Sequence, residues 1–253
     1  MPSIVQSTPA NYIRNSSDCV SRVVRWSDKI IKEQPSTMPH IPESFLEHRQ
    51  VFANPWIEQW VLPNPFISAL HNALRGYDVL LTDFSFTKEA ANLGETSLNV
   101  AIRTLDAAVK IGLDSIVFSA ANPDWGDASN LTAVFERCAE AVREIVRASP
   151  SWQEATLLLH LVDESADLRA ATANLVNTAL IGDASFYGIS IHRTSGPLLI
   201  EKSLRYDNAV FLRIQHKFSG AESLAAIAAK IYEDEVFSLG LLGLVDPDQA
   251  RLS

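Results

Sequence analysis

Between residues 77 and 181, short apolar runs alternate with longer segments in which apolar residues recur at helical spacing; no other feature of the chain constrains its fold as much. The runs at 78–86, 114–121 and 155–163 read as strands, and the segments at 96–111, 131–148 and 166–181 read as amphipathic helices. Strand and helix in strict alternation are the signature of βαβ units. The expected fold class is therefore α/β, a mostly parallel sheet flanked by helices on right-handed crossovers. The best-marked helix is 131–148, where Leu131, Val134, Phe135, Cys138, Val142, Ile145 and Val146 form one stripe and charged residues cover the opposite face.

Toward the C-terminus the texture changes. FYGISIHR, GPLLIEKS and NAVFLRIQHK are strand-like, and a short TSG turn separates the first two, so antiparallel strands are expected to extend the sheet. A terminal helix over 222–239, with Leu224, Ile227, Ile231 and Val236 on one side, is expected to cover them. The opening quarter differs again, since eight of the 12 prolines fall in residues 1–66. Proline fixes φ and removes a donor, which predicts short helices joined by extended segments. One helix there is capped by Ser17 and runs to about Ile31. The expected organisation is thus an N-terminal arm, rich in proline and aromatic residues, over 1–66, and a single α/β domain over 67–253. No internal repeat is visible.

Composition narrows the function. At 47% apolar over 253 residues the chain can bury a sizeable core, and its 30 acidic and 21 basic residues give a net charge of −9. No basic cluster offers a grip on phosphates, so nucleic acid is not an expected partner. No apolar run approaches the roughly 20 residues needed to cross a bilayer, and no secretory signal is visible. Cys19 and Cys138 belong to no paired motif. A reducing, cytoplasmic setting is expected.

Candidate chemistry lies where apolar runs end. Asp83 follows the first run, Ser119 follows the second, and Gly182-Asp183 follows a third in ALIGDAS. In that order these residues resemble the strand-end motifs of haloacid-dehalogenase-type phosphohydrolases. The resemblance implies Asp83 as nucleophile, Ser119 as phosphate ligand and Asp183 as ligand to Mg²⁺. The sequence departs from that family at Ser85, where a second Asp is usual, and has no lysine between Lys110 and Lys202. The loop NPDWGDASN places Asp124 and Trp125 before a helix start, where a cation or ligand could be met. His160, His192 and His216 sit on separate predicted strands without metal-ligand spacing, and Cys138 lies mid-stripe as a core residue.

No P-loop, dinucleotide fingerprint, nucleophile elbow or kinase signature occurs. The leading expectation is a non-catalytic protein-interaction or assembly protein, without a cofactor, that binds a protein partner or a second copy through Trp56, Trp60 and Phe66 of the arm and through Trp125. The alternative is a Mg²⁺-dependent phosphohydrolase using Asp83, Ser119, Asp124 and Asp183.

Overall fold

The computed structural model describes residues 40–87, 95–123, 128–163, 167–176 and 186–244. Its backbone is one nine-stranded sheet with every pairing antiparallel, carrying helices on a single face. The elements run β1 (His40–Val51), α1 (Ile57–Val61), α2 (Asn64–Ala73), β2 (Phe84–Thr87), β3 (Ser97–Ile102), β4 (Ala107–Ile111), β5 (Ser115–Ala121), α3 (Ala128–Val146) and β6 (Trp152–Val162). They continue with α4 (Leu168–Leu175), β7 (Gly188–Arg193), β8 (Gly196–Lys202), β9 (Ala209–Ser219) and α5 (Leu224–Leu241). In space the strands lie β2-β3-β4-β5-β1-β6-β9-β8-β7. Among the described residues no helix is long and apolar enough to cross a membrane.

The expected parallel sheet flanked by helices is overturned by this topology, and two segments account for the error. Residues 96–111, read as a helix, form the β3–β4 hairpin. Leu98, Val100 and Ile102, then Ala107, Val109 and Ile111, alternate inward with a period of two. Between them a short 3-10 turn ends at Asp106 in the left-handed region, with φ of 46°. A hairpin needs no crossover helix, so successive strands pair antiparallel. The second segment is 40–51. It belongs to the stretch assigned to the arm, yet it forms the central strand, paired to β5 on one side and β6 on the other.

Strand β1 escaped notice because its inward positions, Leu46 apart, are polar. Ser44, His48 and Gln50 are buried beneath the helices where an ordinary core strand carries valine or leucine. Pro42 falls at the register shift between His40 and Glu43, a place where a missing donor costs the ladder least.

The order of elements reveals a division into two similar halves. Strand β1, helices α1 and α2, a meander ending in β5, and helix α3 make the first half. Strand β6, helix α4, the meander β7-β8-β9 and helix α5 make the second. In each half the first strand pairs with the last, and β1 and β6 meet antiparallel at the middle. Each half has its own apolar core. Phe66, Leu70, Val100, Ile116, Phe118 and Phe135 anchor the first, and Leu157, Leu159, Leu198, Leu212, Ile214 and Ile231 the second.

Polar residues hold the seam between the cores. Gln153 of β6 donates from Nε2 toward the carbonyls of Ser219 (3.3 Å), Gly220 (3.1 Å) and Glu222 (2.8 Å). Its Oε1 accepts from Gln50 Nε2 at 3.1 Å and from His48 Nε2 at 3.0 Å. Burial drives the His48 ring down to about 4, only partly offset by the bond to Gln153, so the ring stays neutral. At the far edge Asp234 of α5 takes both guanidinium nitrogens of Arg193, at 2.7 and 2.9 Å, and His216 Nδ1 at 3.1 Å, tying α5 to β7 and β9.

Candidate functional site

Because all the described helices pack on one face, register decides which side chains occupy the other. Pairing places Lys110, Val117, Arg49, Glu154 and Lys217 in one row across five strands, and Ala108, Ser119, Glu47, Thr156 and Gln215 in the next. A third row holds Ala121, Phe45, Leu158, Arg213 and Leu199, and a fourth Glu43, His160, Phe211 and Glu201. No described helix lies over these rows. Phe45, Leu158, Leu199 and Phe211 are half-buried by their neighbours in the sheet and form an apolar patch at its middle.

A polar cluster closes one end of the patch. The turn after β8 folds back so that Arg205 pairs with Glu43 at 2.6 Å and the Tyr206 hydroxyl donates to the same carboxylate at 3.4 Å. His160 lies edge-on to Tyr206 and against Phe211, with centroids 5.3 and 5.0 Å away. Its Nδ1 is 3.0 Å from Ser203 Oγ. A serine beside a histidine invites a nucleophilic reading, and the hydrogen bonds argue against it. Ser203 Oγ already accepts from the amides of Arg205 and Tyr206, both at 3.1 Å, so its proton goes to His160 and the oxygen is pinned inside the turn. The residue is also only 3% exposed. It shapes the turn. Burial lowers the His160 pKa; Glu43 opposes that shift and Arg205 adds to it, so the ring is neutral at physiological pH with its proton on Nε2.

The residues singled out by the sequence are scattered. Asp83 closes a 3-10 turn before β2: its Oδ2 accepts from the Leu80 amide at 2.9 Å and its Oδ1 pairs with Arg103 at 2.8 Å. Ser119 sits on the open face of β5 beside Glu47 and Ala108. Three strand spacings, about 14 Å, separate β2 from β5, so these two residues do not share a site. Asp124, Trp125 and Asp183 lie outside the described residues.

Of the aromatic residues expected at an interface, the three that are described, Trp56, Trp60 and Phe66, pack into the first core. Trp56 and Phe66 are 5% and 0% exposed, and Trp60 leans on Phe66 and Phe86 while its Nε1 donates to the Gly112 carbonyl at 3.1 Å. Cys138 is buried as expected, and burial pushes its thiol up to about 12. Among the described residues no three His, Cys, Asp or Glu side chains are grouped so as to hold a metal ion. What sequence reasoning missed was the open face itself. The face becomes legible only once β1 is seen as a strand, because neither FLEHRQV nor TLLLHLV alternates apolar with polar residues.

No protein-family model matches the chain, and no curated protein matches its sequence.

Proposed function

We propose that this is a non-catalytic assembly protein whose open sheet face docks on a second copy of the chain. The observation that carries the reading is the apolar patch of Phe45, Leu158, Leu199 and Phe211 at the middle of the sheet, over which no described helix lies. Area supports it. Nine strands at about 4.8 Å spacing, averaging between seven and eight residues in length, present roughly 1,100 Å² to a partner, enough for a standard interface.

Charge favours self-association over an oppositely charged partner. The whole molecule carries −9, yet on this face Glu43, Glu47, Glu154 and Glu201 are matched by Arg49, Lys110, Arg213 and Lys217. Arg49, Glu154 and Lys217 even alternate in sign along one row. A patch that is neutral in total and alternating in detail can meet its own copy across a two-fold axis. The arm suggested by the sequence is replaced in this proposal by the sheet, because Trp56 and Phe66 are already committed to the core.

Light scattering of the full chain across micromolar concentrations tests the proposal. A dimer is expected, with Leu158→Asp and the exposed charge reversal Arg213→Glu both shifting it to monomer at unchanged circular dichroism. A parent protein that stays monomeric throughout, or a dimer indifferent to both substitutions, would overturn it.

A further inference from the structure

On the opposite face a cleft of about 460 Å³ opens between α3 and the start of α5, over the seam where the two halves join. Its floor is Gln50 and Gln153, and its walls carry Glu136, Glu140, Arg143 and Glu222. The volume lies within the range of small-molecule sites. The floor is a built one, because the hydrogen bonds of Gln153 dictate the orientation of its neighbours. Its amide nitrogen is held by three carbonyls, so its oxygen must face Gln50 and His48, and both of those must donate to it.

Two acceptors are left over. Gln50 Oε1 and His48 Nδ1 are buried, each on a residue 4% exposed, and neither has a hydrogen-bond partner. Buried acceptors without donors are rare in native proteins and each asks for an explanation. Gln50 lines the cleft and its Oε1 lies just under that lining, so a ligand whose donor reaches the floor by displacing the lining meets an acceptor and not a donor. The walls add three carboxylates against one guanidinium. An acceptor floor under an anionic rim recognises a cation that donates N–H bonds.

We propose that this cleft binds a small organic ammonium, whose N–H groups bond Gln50 Oε1 while Glu136, Glu140 and Glu222 balance its charge. Two sources present that group, a free amine and the amino end of an amino acid. Arg143 on α3 decides between them, since a carboxylate on the ligand would pair with it. The site is independent of the sheet-face proposal and lies on the other side of the sheet.

The test is titration of the full chain, followed by calorimetry and by the side-chain amide resonances of ¹⁵N-labelled glutamines. The probes are 1,4-diaminobutane, glycine and tetramethylammonium. Saturable binding of 1,4-diaminobutane or glycine is expected, with the Gln50 amide resonances shifting and tetramethylammonium, which has no N–H, inert. Preference for glycine that disappears in Arg143→Gln assigns an amino acid; indifference to that change assigns an amine. Gln50→Leu should weaken binding at least about tenfold, and Glu140→Gln, an exposed change that leaves folding alone, should weaken it severalfold. Absence of saturation by either N–H donor, equal binding of tetramethylammonium, or parent-like affinity in both Gln50→Leu and Glu140→Gln would overturn the proposal.

Discussion

Asp83 illustrates how a single carboxylate is explained by the groups it touches. It is nearly buried, accepts the Leu80 amide and pairs with an Arg103 that is itself largely exposed. Solvent screens that ion pair, so it contributes at most about 1 kcal/mol, whereas the cap on the turn is worth about 1 to 2 kcal/mol. Asp83→Asn, which keeps an acceptor for Leu80, is therefore expected to cost under about 1 kcal/mol. Asp83→Ala should cost more, about 1 to 2 kcal/mol, in urea unfolding. Equal losses in the two variants would show that charge, and not capping, is what the residue supplies.

Among elements, the attachment of α5 to the edge of the sheet depends on one buried carboxylate. Burial by itself raises the Asp234 pKa, but hydrogen bonds from Arg193 and His216, with the charges of Arg193 and Lys230, bring it below the usual value. Asp234→Asn leaves the Arg193 guanidinium without its counter-charge and should destabilise by about 3 kcal/mol, with the loss read in thermal or urea unfolding. A cost near zero would mean that apolar packing of Ile227, Ile231 and Leu239 holds α5 unaided. Elements also mark the limit of what was legible. α3, α5, β5, β6 and the three C-terminal strands declared themselves, because each carries an unbroken apolar stripe of the right period. The β3–β4 hairpin was misread since Leu98, Val100, Ala101 and Leu105 fit a helical stripe nearly as well as a strand. β1 was invisible because Ser44, His48 and Gln50 conceal its buried face, and those are the residues that shape the cleft. The site was hidden by the same substitution of polar for apolar that hid the strand.

At the scale of the whole molecule, two groups, the buried His48 and the half-buried Glu235, oppose each other in pH. The folded pKa of His48 is lowered from 6.5 to about 4, so the unfolded chain binds the extra proton and stability falls as pH drops from 6.5 toward 4. Burial raises that of Glu235 from 4.5 to about 7, so the folded chain keeps the extra proton and stability falls as pH rises from 4.5 toward 7. Over the shared window, from 4.5 to 6.5, the slopes have opposite sign, and the parent protein should show a plateau. Glu235→Gln should expose the His48 limb, with stability climbing by as much as about 3 kcal/mol toward neutral pH. His48→Gln should give the reverse slope. Urea unfolding at fixed ionic strength checks all three, and parallel curves would refute the pairing of effects. The position of β1 has a further consequence, in time. It is the first described strand to leave the ribosome, but its neighbours β5 and β6 are encoded at 115–121 and 152–162. Until both have been made, both of its edges are unpaired, the condition under which strands join the wrong chain. Serine, histidine and glutamine on one side, with a proline near its start, make β1 a poor template for such pairing. The polarity that leaves two acceptors unmatched in the finished fold is what lets its central strand wait safely to be enclosed.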